Sequence, residues 1–124
     1  MPSFGENSNK HRATCDPALR SVLDEAIKHY DFSVIWGHRG KEDQNAVFAS
    51  GDSMLPWPKS EHNTLPSRAF DVIPYPDGFR ASDQEFYKLA TYIFRAATTC
   101  GVRIKWGGHW RSFPDLAHYQ LEND

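Results

Sequence analysis

Two histidines and an aspartate, His62, Asp71 and His118, carry the first chemistry in this sequence. His62 and Asp71 stand in SEHNTLPSRAFDVIPYP (60–76), eight residues between them and a Leu-Pro-Ser turn in the middle. A turn there folds the chain back and can bring both side chains to one point. Asp71 interrupts the apolar run AFDVIP, and His118 interrupts LAHYQL. A buried carboxylate is costly unless it is paired or bound to a cation. Each of the three, alone, reads more readily as a hydrogen-bonded core residue than as a metal ligand. Together, on adjacent strands of one sheet, they make a two-histidine, one-carboxylate ligand set. Catalytic zinc uses three protein ligands and leaves a fourth position to water, whose pKa it lowers toward about 7. The same set suits several divalent metals.

Asp115 lies three residues before His118 in PDLAHYQL. It is a candidate general base, able to take a proton from water and hand it to a leaving amine. The alternative is a turn aspartate after Pro114. Arg39, in WGHRGKEDQ, follows a strand end, where a guanidinium can bind a carboxylate or steady an oxyanion. The alternative is a surface arginine. Gln44 and Ser60 are candidates for orienting the ligands. Trp106, Trp110 and Tyr119 are candidates for lining a cleft or filling the core. His11, in a polar N-terminal arm, and His29, in the last turn of the first helix, read as solvated or structural.

The elements that must position these residues follow from the pattern. Asp16-Pro17 opens a helix, with Asp as N-cap and Pro at the first helical position. Apolar residues then recur at Leu19, Val22, Leu23, Ala26 and Ile27 within PALRSVLDEAIKHY. FSVIW (32–36) is a strand by its β-branched and aromatic content. KEDQNAVFASG is a short helix stopped by Gly51. Residues 52–68 form a loop, with Pro56, Pro58 and Pro66 excluding a helix. AFDVIP is a strand. Ser82 and Glu85 form a capping box ahead of a long helix ended by Gly101. VRIKW and LAHYQLE are the last strands. Strands are few and lack βαβ alternation, so the expected class is α+β: a small, largely antiparallel sheet with helices packed on one face.

The bulk numbers set limits. The 124 residues fit one domain, 1–124, with enough chain to bury a core. Aromatics at 14% and charged residues at 24% make a globular composition. A net charge of −2 argues against a nucleic-acid binder, which needs a basic face. It counts equally against a His-Asn-His nuclease, which Glu61-His62-Asn63 would otherwise bring to mind. No apolar run is long enough to span a bilayer, and MPSFGENSNKHR lacks the apolar centre of a signal peptide. Cys15 and Cys100 read as two reduced thiols, with a single disulfide as the alternative.

The combination SEHNTLPSRAFDVIPY and WGGHWRSFPDLAHYQL resembles the zinc peptidases of the D-alanyl-D-alanine carboxypeptidase family. It is most similar to the phage endolysin branch of L-alanyl-D-glutamate peptidases. The family pattern runs Ser-x-His, Ala-x-Asp, then Asp/Glu-x-x-His. Ser60 and His62, Ala69 and Asp71, Asp115 and His118 match it in order. GHRGKEDQ supplies the family's arginine and glutamine as Arg39 and Gln44, and WGGHW its glycine-tryptophan run. The match covers about residues 34 to 121. The resemblance implies a D-Ala-D-Ala metallopeptidase/hedgehog-like fold, with Zn2+ held by His62, Asp71 and His118. It implies Asp115 as base, Arg39 in substrate or transition-state binding, and Ser60, Gln44, His109 and Trp110 in supporting or substrate contacts. His109 stands where endolysin relatives often carry aspartate, a departure that would change the charge near the metal or add a ligand. The implied substrate is the peptidoglycan stem peptide, with no nucleic acid and no membrane insertion, and the expected state is a monomer. The implied setting is the cytoplasm of a phage-infected bacterium, followed by release to the periplasm or wall through a pore. A D-Ala-D-Ala carboxypeptidase, or a zinc-containing binding domain that has lost catalysis, are the rival readings.

Overall fold

The computed structural model describes residues 2–123. A first helix, α1 (Glu6–Arg12), occupies the segment whose composition predicts a polar arm. It has no apolar periodicity. Its Glu6 in the first turn and Lys10, His11 and Arg12 in the last suit the helix dipole. Its buried Ser8 hydroxyl accepts the Val34 N–H at 3.0 Å, so the helix covers an otherwise open sheet edge. His11 thereby packs edge-on against Trp36, 5.7 Å between ring centres.

Helix α2 (Pro17–Ile27) starts as its sequence demands: Asp16 accepts the Ala18 N–H at 2.8 Å and Pro17 follows. Leu19, Val22, Leu23, Ala26 and Ile27 are its buried stripe. The helix ends before His29, which lies just beyond it and pairs with Glu25 at 3.0 Å. Strand β1 (Phe32–Trp36), helix α3 (Lys41–Ala49) and strand β2 (Ala69–Pro74) follow. Helix α4 (Asp83–Cys100) is capped by Ser82, whose hydroxyl accepts the Glu85 N–H at 3.3 Å, one half of the expected box. The full reciprocal box lies elsewhere, between Ser60 and Asn63. Gly101 ends α4 at φ 69°, the left-handed conformation that favours glycine. Strands β3 (Ile104–Trp106) and β4 (His118–Leu121) complete the chain, both shorter than the sequence pattern.

The sheet order is β1-β2-β4-β3, antiparallel throughout. Strand alternation sorts its faces. Phe70, Val72 and Tyr119 join Leu19, Leu23, Leu89 and Ile93 in the core beneath α2 and α4. Phe70 and Tyr119 stack at 5.4 Å. Asp71 and His118 point to the other face, and the register sets them directly opposite each other. Every residue of β2 is buried, because loops cover that second face. Cys15 and Cys100 are both free thiols, and burial pushes Cys15 up to about 12. Among the described residues no helix is long and apolar enough to cross a membrane.

Candidate metal centre

Three ligand atoms converge on the loop-covered face. His62 Nε2 lies 3.1 Å from Asp71 Oδ1 and 3.2 Å from His118 Nδ1, and His118 Nδ1 lies 3.2 Å from Asp71 Oδ1. Asp71 and His118 come from paired strands. His62 comes from a 3-10 turn, Glu61–Asn63, at the start of the long loop. Ser60 holds that turn by accepting the His62 N–H at 3.2 Å, and Asn63 Oδ1 accepts the Ser60 N–H at 3.0 Å.

The tautomers decide what this cluster can hold. His62 Nδ1 lies 2.8 Å from the Gly37 carbonyl, which can only accept, so that nitrogen carries the proton and Nε2 is bare. His118 Nε2 lies 2.8 Å from Gln120 Oε1, which leaves His118 Nδ1 bare when Nε2 donates. Two imidazole lone pairs and a carboxylate oxygen then face one point. Nothing but a proton or a cation relieves that arrangement, and two neutral histidines oriented through their far nitrogens are how proteins present a metal site. His62, Asp71 and His118 fit a divalent metal ion, and all three are buried.

Without an ion, protons take its place. Burial would raise the Asp71 carboxyl, but protonated His62 and His118 beside it hold it well below the usual range. Burial works downward on His118, and its bond to Asp71 overrides this and raises it. The second oxygen of Asp71 accepts from Arg39 Nη2 at 3.1 Å. Arg39 is only 5% exposed, so it is no surface arginine. Its Nη1 donates to Gln44 Oε1 at 3.0 Å and its guanidinium lies 4.6 Å from the Trp36 ring centre. Burial lowers its pKa, and Asp71 opposes that. Gln44, fully buried, also donates to Ser53 Oγ at 3.0 Å and to the Leu55 carbonyl at 2.6 Å, tying the loop wall to Arg39.

Arg39, Ser60, the three ligands, Trp110 and Asp115 all line one cleft of about 250 Å³. Asp115 Oδ1 accepts the Ala117 N–H at 3.2 Å, so the residue makes the turn and still faces the cleft. Burial and the negative charge of Asp71 raise its carboxyl. Gly107 makes the close approach possible: a Cβ there would meet the Asp115 carbonyl at 2.4 Å. Trp110 lies over His118 with 5.0 Å between rings. His109 goes elsewhere. It stacks on Phe94 of α4 at 6.0 Å and meets Trp106 at 5.0 Å, on the opposite face from the ligands. The short 3-10 turn Gly107–His109 reverses the chain, and this sends consecutive residues to opposite faces. Trp106 and Tyr119 fill the core. The sequence pattern assigns no role in this site to Gly37, Asn63 or Gln120. A backbone acceptor such as the Gly37 carbonyl has no side-chain signal. Gln120 had one, since it lies two residues from His118 on the same strand face.

Known proteins share this chain's sequence and fold. The family model of the phage L-alanyl-D-glutamate peptidases matches residues 2–122. The L-alanyl-D-glutamate peptidase of Escherichia phage T5 is 32% identical over 117 residues, covering 90% of this chain and 84% of that protein. The crystal structure of Serratia marcescens L-Ala D-Glu endopeptidase ChiX superposes with a TM-score of 0.81 at 28% identity, over 98% of this chain and 92% of that one. With a family match across nearly its whole length and a cluster of donors shaped for a metal, the chain belongs to the phage L-alanyl-D-glutamate peptidase family.

Proposed function

We propose that this chain is a zinc-dependent endolysin that hydrolyses the L-alanyl-D-glutamate bond of the peptidoglycan stem peptide, as one peptidase domain over residues 1–124 acting as a monomer. One observation carries the reading: two bare imidazole nitrogens and a carboxylate oxygen meet beside a half-buried, raised carboxyl in a single cleft. In that cleft His62, Asp71 and His118 would hold the ion. When bound, the ion supplies Lewis-acid polarisation of the scissile carbonyl and a lowered pKa for water.

The rest is work for the chain's own residues. Asp115 takes the proton of the attacking water at a carboxylate oxygen. It then delivers that proton to the departing glutamate amine, so one group serves as base and then as acid. Its raised pKa suits both halves of this exchange. Arg39 balances the outer oxygen of Asp71 and puts positive charge in the cleft wall, where the carbonyl oxygen gains charge. Gln44 and Asn63 hold Arg39 in place through its side chain and its carbonyl. Trp110 shields the ligand ring of His118 from solvent. This reading sets the site of action at the bacterial wall, reached after release from the cytoplasm of an infected cell.

Digestion of purified peptidoglycan, with fragments identified by mass spectrometry, tests the proposal. New glutamate amino termini with matching free alanine carboxyls, abolished by a chelator and restored by zinc, are expected. Release of free D-alanine instead would make the chain a carboxypeptidase. A folded, metal-loaded protein that cleaves nothing would make it a binding domain.

A further inference from the structure

Asp71 has a cross-strand neighbour on each side, Trp36 on β1 and His118 on β4. The cleft described above covers the His118 side. A second hollow of about 460 Å³ covers the Trp36 side, walled by Ile35, Trp36, Val47, Phe79, Phe113 and Pro114. The two hollows share Arg39, Asp52, Asp71, Phe113 and Asp115. They are lobes of one groove that crosses the strands, with the candidate base where they meet. Phe113 holds φ 54° at that junction, a left-handed backbone that aromatic residues rarely adopt.

We infer that the second lobe receives the sugar-bearing flank of the substrate, the muramyl lactyl group joined to the alanine amine. This rests on the proposed function. An enzyme that hydrolyses an internal amide must hold chain on both sides of the carbonyl. In the stem peptide the two flanks differ in charge. The amino-side flank is neutral: a pyranose ring with an apolar face and a lactyl methyl. The carboxyl-side flank begins at the glutamate, which brings a carboxylate.

The second lobe matches the neutral flank. All four of its charged lining residues, Arg39, Asp52, Asp71 and Asp115, are shared with the first lobe. Shared charges favour neither lobe, and the second adds no charged or hydroxyl side chain that could seat a carboxylate. What the lobe adds is apolar wall, including Phe79, which is 74% exposed and has no core to justify it. An exposed ring beside a reaction groove is a platform for the apolar face of a sugar. The first lobe is better furnished for the anionic flank, with the hydroxyls of Ser60 and Ser112.

The test uses two substrates that differ only at the amino end: a muramyl tetrapeptide and the same tetrapeptide capped with acetyl. The zinc-loaded enzyme should prefer the muramyl substrate in kcat/KM by on the order of tenfold, the scale of one good apolar contact. Phe79→Ala should bring that ratio close to one, and Phe79→Trp should keep it. Equal rates on both substrates with the unaltered enzyme would overturn the inference, as would a ratio that Phe79→Ala leaves intact. A Phe79→Ala effect confined to the preference between tetrapeptide and tripeptide would place the carboxyl flank there instead. If the unaltered enzyme cleaved neither substrate, the peptidase reading itself would fall.

Discussion

At the scale of single residues, the site works through what each ligand touches on its far side. His62 is oriented by a backbone carbonyl and His118 by an amide two residues away. Only the second can be removed outright by substitution. Gln120→Leu should weaken zinc binding by about 10- to 100-fold while the fold survives, and Gln120→Glu should preserve or tighten it. Competition against a chromophoric chelator measures this directly. Equal affinity in Gln120→Leu would mean that the His118 tautomer is set without the amide. Asp115 makes a prediction about pH. Burial and Asp71 hold its carboxyl above the usual carboxylate value, and a base must be deprotonated. Peptidase activity should therefore rise with pH as Asp115 loses its proton, and a pH–rate profile should show the limb. The same shift acts with opposite sign on stability. In the metal-free protein the folded state keeps the proton at a pH where the unfolded chain has lost it. The Asp115 contribution is thus full at low pH and lost as pH rises toward the folded value. Metal-free Asp115→Asn should melt at a higher temperature than the parent at neutral pH, and calorimetry would show it.

At the scale of elements, the site depends on two glycines that let chain segments touch. A Cβ on Gly37 would sit 2.3 Å from both the His11 carbonyl and Thr14 Oγ1, and Gly37 supplies the acceptor for His62. A Cβ on Gly107 would strike the Asp115 carbonyl. Gly37→Ala should lower both stability and zinc affinity, because the acceptor moves. Gly107→Ala should depress turnover more than zinc affinity, because the new Cβ strikes the Asp115 carbonyl at 2.4 Å and only crowds the His118 Cβ at 3.2 Å. Measuring turnover and zinc affinity on each variant separates the two cases. Much of this scale was written in the sequence. Asp16-Pro17, the stripe from Leu19 to Ile27, Ser82 and Gly101 mark α2 and α4 because caps and periodicity are local signals. Asp71 and His118 stood out because a strand alternates and a charged residue breaks the pattern. Helix α1 escaped, since its seven residues are polar and it forms by covering the β1 edge, a tertiary cause. The destination of His109 escaped as well. Resemblance placed it near the metal, but the Gly107–His109 turn sends it to Phe94.

At the scale of the whole molecule, an ion held by His62, Asp71 and His118 would join metal and fold into one system. The ligands come from the 3-10 turn, β2 and β4, so an ion ties the long loop to the middle of the sheet. Binding to a site absent from the unfolded chain stabilises the folded one. Chelation should lower the melting temperature, and zinc should restore it. The central claim is that His62, Asp71 and His118 hold the ion while Asp115 acts beside it without holding it. The most direct test is zinc content and turnover, measured together on His62→Ala and Asp115→Asn. The account predicts that Asp115→Asn retains one zinc per chain and loses about 100-fold or more in turnover, the scale of general acid–base catalysis. It predicts that His62→Ala loses both. Loss of zinc from Asp115→Asn, or zinc held at full affinity by His62→Ala, would contradict it.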